Sequence, residues 1–108
     1  MTQDQILAAC KLACRVSSTA LDAEFNDNIT AAFLDLEASG VADVSGQPYV
    51  PDSADQLVIS AVKTYVKLHT GDLLDNAEAL RLEKSYWDQV ALLKNRRYSS
   101  SVIPGDES

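Results

Sequence analysis

The chain has 108 residues, 46% of them hydrophobic, and its 16 acidic residues against 9 basic ones give a net charge of −7 at pH 7. That length fits one domain with room for a single core, and the acidic balance argues against a protein that holds nucleic acid by neutralising phosphates. Glycine (4) and proline (3) are scarce, so helices are expected rather than a turn-rich β fold.

Thr2 followed by Gln5 reads as a capping box that opens a first helix running to about Val16, where Ser17 and Ser18 break it. Thr19 with Asp22 repeats the signal. Leu21, Phe25, Ile29, Ala32, Phe33 and Leu36 then recur at spacings of three and four, the stripe of an amphipathic helix that Ser39 and Gly40 end. Residues 41–51, VADVSGQPYVP, hold two prolines and a Ser-Gly turn signal. They predict a loop or small hairpin, long for a helical domain, with Val44, Gln47 and Tyr49 as candidate contact residues.

Asp52 and Asp55 supply the next N-cap. The third helix carries Leu57, Val58, Ala61, Val62, Tyr65, Val66 and Leu68 on more than one face, so it belongs at the centre of the bundle. His69, the only histidine, stands in its last turn before Gly71. A nucleophile or second histidine to work with it is missing from the sequence around it, so a helix end and cap is the better reading than a general base. Asp75 and Glu78 cap a fourth helix with Leu82, Tyr86, Val90 and Leu93 on one stripe. Trp87 beside it reads as a core residue sooner than as an interface anchor.

Charge is unevenly spread. Residues 20–55 carry Asp22, Glu24, Asp27, Asp35, Glu37, Asp43, Asp52 and Asp55 with no Lys or Arg, whereas Lys94, Arg96 and Arg97 make a small basic knot near the end. Asp22, Glu24, Asp27, Asp35 and Glu37 are candidates for an acidic surface facing a channel or partner, with an ordinary solvated face as the plain alternative. Cys10 and Cys14, four apart on the first helix, cannot complete a zinc site with one distant histidine and read as small core residues. The helical pattern stops after Asn95, which divides the chain into a helical domain, 1–95, and an extended tail, 96–108. In that tail Arg96 and Arg97 precede the uncharged Tyr98, Ser99, Ser100, Ser101, Val102 and Ile103, a segment suited to strand addition on a partner sheet. Apolar runs are too short to span a bilayer and no secretion signal is visible, so a cytoplasmic protein with no membrane partner is expected. With no phosphate cradle, metal-ligand constellation or acid/base pair, the sequence offers no catalytic residue and no cofactor site.

The segments AVKTYVKLHTGD (61–72) and KSYWDQVALL (84–93) follow residues 7–16, ALDAEF and the DLEASGV break at 35–41. In that order they resemble the small head-tail connector, or adaptor and head completion, proteins of long-tailed bacteriophages. The resemblance covers residues 6–93 and rests on composition and element order. It implies an all-α bundle of four helices without catalysis. It also implies a virion protein that gathers in the host cytoplasm during assembly, as a homo-oligomeric ring of about twelve subunits. The ring would sit between the portal protein, reached by the tail, and a stopper or tail completion protein, and DNA would pass through without sequence-specific binding. A second reading is a small acidic interaction module, an inhibitor or DNA mimic that occupies a basic partner. A third, a helical DNA-binding protein, has only Lys94, Arg96 and Arg97 in its favour.

Overall fold

A computed structural model of the chain describes residues 1–70 and 74–102, with side chains as far as Arg96. The described chain is all-α: α1 (Gln3–Cys14), α2 (Asp22–Ala38), α3 (Gln56–His69) and α4 (Asn76–Val102), with a turn of 3-10 helix at Pro51–Ser53 and no strand among the described residues. The four expected helices are all there, as is the long loop between the second and third.

Helix α1 starts as the capping box predicts: Gln5 N donates to Thr2 Oγ1 (3.2 Å) and Thr2 N donates to Gln5 Oε1 (2.8 Å). It ends at Cys14, two residues before the expected Val16. Arg15 takes a left-handed conformation (φ 58°), and Val16 N turns back to Lys11 O at 2.9 Å. Backbone curl, not the two serines, terminates this helix. The cap expected from Thr19 and Asp22 is absent, and Leu21 stands at the N-cap of α2 without a side-chain hydrogen bond. The Asp22 carboxylate is drawn instead to Lys11 Nζ of α1 at 2.7 Å.

At the other end of α2, Gly40 N donates to Glu37 O and Val41 N to Leu36 O, with Gly40 at φ 93°. This is a Schellman closure, and the buried Val41 is its apolar contact. A Cβ at Gly40 would meet Lys94 Cε at 3.5 Å and its Nζ at 3.9 Å, ordinary contacts with a flexible side-chain end. Gly40→Ala is therefore expected to destabilise the domain by about 1 kcal/mol through backbone strain alone, read as a lower urea midpoint with an unchanged m-value.

One core joins all four helices. Ile6 and Cys10 enter from α1, Phe25, Ile29, Ala32 and Leu36 from α2, Val58, Ile59, Ala61, Val62 and Val66 from α3, and Tyr86, Val90 and Leu93 from α4. Helix α3 packs on α1, α2 and α4, which makes it the centre of the bundle. Its start is set by Asp55, whose Oδ1 accepts from Leu57 N and Val58 N, both at 3.1 Å. Its end is held from α2, where Asn28 Nδ2 donates to Thr70 Oγ1 (2.9 Å) and to His69 O (3.1 Å). Thr70 is fully buried, so this pair supplies the partner that a buried hydroxyl requires. Gly71, expected to close α3, lies outside the described residues.

Helix α4 opens on the Asp75 and Glu78 pair, with Glu78 N donating to Asp75 Oδ1 at 2.8 Å. Two expectations for this helix are corrected. Trp87 is not a core residue: it is 49% exposed and leans edge-on against the buried Tyr86. Nor does the helix stop at Asn95. It runs to Val102, so Tyr98, Ser99, Ser100, Ser101 and Val102 are helical and not an extended strand. Serines are only mildly unfavourable inside a helix, and neither Gly nor Pro stands between Asn76 and Val102 to interrupt the backbone ladder. Ile103 and the residues after it lie outside the described residues.

Candidate functional site

Where α3 and α4 diverge, they leave a groove of about 630 Å³ that α2 floors with Asp35. The hydrophobic spacing of α4 explains its walls. Tyr86 faces the core, so its neighbour Trp87 and Leu80, one helical repeat earlier, fall on the rim, and Leu80 is 69% exposed. From α3 come Tyr65 and His69, one turn apart, their rings stacked with centroids 4.0 Å apart. Tyr65 also meets Tyr86 edge-on at 5.5 Å, and Tyr86 meets Trp87 at 5.1 Å. Four rings thus run in contact across the groove, with offset and edge geometries that aromatic quadrupoles favour.

The polar groups are fixed as well. Tyr86 donates its hydroxyl hydrogen to Asp35 Oδ2 at 2.6 Å, a charge-assisted bond between α4 and α2. Burial, that bond and the carboxylate charge all push the Tyr86 phenol well above its ordinary range, and burial and Asp35 raise Tyr65 in the same direction. Both phenols therefore stay protonated at neutral pH. His69 Nδ1 donates to the Tyr65 carbonyl at 2.8 Å, which turns the ring along its own helix. The described residues lining the groove include Asp35 and Glu83 but no Lys or Arg. The arrangement supplies aromatic faces and negative charge to a bound cation or amphipathic side chain. It presents no ionised nucleophile from its tyrosines. Tyr86→Phe is expected to lower stability by about 1.5–3 kcal/mol, because it strips a half-buried carboxylate of its donor. Comparing thermal melts of the two proteins at neutral pH measures this.

Compared with protein-family models, curated proteins and solved structures, the chain matches none.

The sequence candidates scatter over the fold. Among the five acids of α2, Asp22 is paired with Lys11, Asp35 is bonded to Tyr86, Glu24 is half-buried and in contact with its surroundings, and Asp27 and Glu37 are exposed. They therefore form no continuous acidic strip. In the loop, Val44 is 79% exposed and Gln47 is exposed. Asp43 knots the backbone between them by accepting from Ser45 N and Gln47 N. Tyr49 is half-buried and its hydroxyl accepts from Arg96 Nη2 at 3.1 Å, while Arg96 Nη1 donates to Asp55 Oδ2 at 2.8 Å. Arg96 is thus a clamp between α4, the loop and the α3 cap. The side chains of Arg97 and the residues following it lie outside the described ones.

Cys10 is buried and Cys14 half-buried, both as free thiols. Burial, with Cys14 nearby and Lys63 opposing, raises Cys10 to about 12, and burial raises Cys14 against the pull of Lys67. Packing suits them better than reactivity. Among the described residues no group of three or more His, Cys, Asp or Glu is placed to hold a metal ion, and no described helix is long and apolar enough to cross a membrane. Sequence reasoning treated His69, Tyr65 and Tyr86 as cap or core and missed the groove. The signal was present in the i, i+4 pairing of Tyr65 with His69 and in an aspartate, Asp35, facing a stripe of aromatic residues.

Proposed function

We propose that this chain is a structural subunit of a phage head-tail connector, a non-enzymatic adaptor that joins copies of itself into a ring of about twelve between portal and stopper proteins. DNA passes through the ring without sequence-specific binding, and no cofactor is required. The observation that carries the reading is that exposed apolar residues lie on unlike parts of one small domain, among them Leu12, 80% exposed on α1, and the Leu80 and Trp87 rim of the acidic groove. Apolar residues left uncovered in this way mark surfaces that partners bury, and a head-to-tail ring needs two different ones on each subunit.

Helix α4 contributes to the same reading. Its 27 residues amount to roughly 40 Å, and its backbone continues beyond Arg96, the residue that meets the α3 cap. Removing residues 98–108 is expected to leave the helical domain folded while abolishing attachment to portal-bearing heads. A circular dichroism melt and a head-tail joining assay separate the two effects, and normal joining by the shortened chain would reject the role given to the end of α4.

Negative-stain images of the purified protein with and without the portal protein of the same phage test the proposal as a whole. Rings seated on the portal are expected. The acidic-module reading draws on the net charge of −7 and on the exposed Asp27 and Glu37. It predicts one-to-one or dimeric complexes with a basic protein and no rings.

A further inference from the structure

We propose that the groove between α3 and α4 receives the outer stripe of α1 from a neighbouring copy, with that copy's Arg15 set against Glu83 and Asp35 and its Leu12 against the aromatic wall. The inference rests on the assembly reading above and adds the contact through which the copies join.

The two surfaces lie on different flanks of α3. Toward α1 it turns Lys63 and Lys67, whose charges act on Cys10 and Cys14. Toward α4 it turns Ser60, whose hydroxyl accepts from Gln89 Nε2, and Tyr65, which meets Tyr86. A contact from the α1 flank of one copy to the α4 flank of the next is therefore heterologous and propagates in one direction, as a ring demands.

The surfaces are also complementary. The receiving groove has two carboxylates, a run of aromatic rings and the exposed Leu80, with no Lys or Arg among its described lining residues. The entering stripe is Ala8 and Leu12, exposed one turn apart on α1, and the exposed Arg15 follows directly after the helix as its C-cap. Arg15 stands one residue past the last helical position of α1, so its charge lies at the C-terminal end of the helix. Arg81 and Arg96 are held within the chain by Glu78 and Asp55, whereas Arg15 has no ion pair among the described residues. An arginine over aromatic rings and beside carboxylates gains from both its flat face and its charge. Asp4, the acid on the same outer side of α1, lies about 16 Å from Arg15 along the helix axis, away from the carboxylates that Arg15 would meet.

The test is sedimentation velocity over a concentration series for the wild-type chain, Arg15→Glu, Glu83→Arg and an equimolar mixture of the two variants. Both sites are exposed, so each variant is expected to remain helical, which circular dichroism checks. Each variant alone is expected to need about tenfold more protein to associate, or more. The mixture is expected to recover, because the new carboxylate of one variant meets the new guanidinium of the other while the alternate contact stays as in wild type. Association that is unchanged in the single variants, or a mixture no better than either, overturns the pairing and leaves the ring reading standing. A wild-type chain that remains monomeric at every concentration also overturns it, and the portal images then judge the assembly reading separately. Loss of portal attachment by Glu83→Arg with self-association intact would assign the groove to a basic segment of another protein.

Discussion

Phe25→Ala is expected to remove about 3–5 kcal/mol of stability, the loss typical of a large aromatic side chain cut from a packed interior. Phe25 is fully buried on α2 and belongs to the single core that links Ile6 of α1 with the valines of α3 and Tyr86 of α4. A domain this small has about 5–15 kcal/mol of net stability in total. The variant should therefore sit close to its unfolding transition at physiological temperature. In urea its midpoint should fall steeply, and its melting temperature should drop by roughly 10–25 °C. A melting temperature within a few degrees of wild type would mean that α2 does not share one core with α1 and α3.

Alkaline conditions should also unfold the domain, and the reason is two buried acids held in their neutral form. Burial raises the Cys10 thiol from 9.0 to about 12, and raises the Tyr86 phenol above its ordinary 10.0 with help from the Asp35 hydrogen bond. Above the ordinary value, the unfolded chain gives up its proton while the folded chain still holds it. Protons bound then favour the folded state less and less, and stability falls as pH rises. The contribution is fully present below about pH 9 for Cys10 and below about pH 10 for Tyr86. Each group takes away up to about 1.4 kcal/mol per pH unit once its unfolded form is ionised. Cys10→Ala should start out less stable at neutral pH, because it leaves a small cavity, yet lose less between about pH 9 and about pH 11. Parallel urea curves for the two proteins across that range would contradict the assignment.

The fold was legible in the sequence wherever local chemistry and tertiary demand agreed. Thr2 with Gln5, Asp55, Asp75 with Glu78, and Ser39 with Gly40 are helix ends written in short-range hydrogen bonds, and each is found in place. Expectation failed where a side chain found a better partner at a distance. Asp22 left its cap for Lys11, and Arg96 left the supposed tail for Asp55 and Tyr49. Neither partner can be read from a one-dimensional pattern. The C-terminal serines were misread for a different reason: composition alone does not stop a helix whose backbone ladder meets no Gly or Pro.

The candidate site was less legible. Tyr65 and Tyr86 belong to core stripes, and periodicity does not reveal that those stripes part at Asp35 to leave a cleft. Trp87 was the clearest pointer. Its exposure follows from its place beside, rather than on, the Tyr86 stripe, and that is a matter of angular register the sequence already contained. The five acids of α2 mislead in the opposite sense. They look like one surface when counted along the chain, but around the helix they separate into an ion pair, a part-buried hydrogen bond, the half-buried Glu24 and two solvated residues.

The proposed place of this chain as a phage assembly subunit is tested most directly by its copy number in purified particles. Quantitative mass spectrometry against the portal protein of the same particles should find the two in comparable amounts, about twelve copies of this chain in each particle. Particles that carry portal but none of this chain would contradict the account.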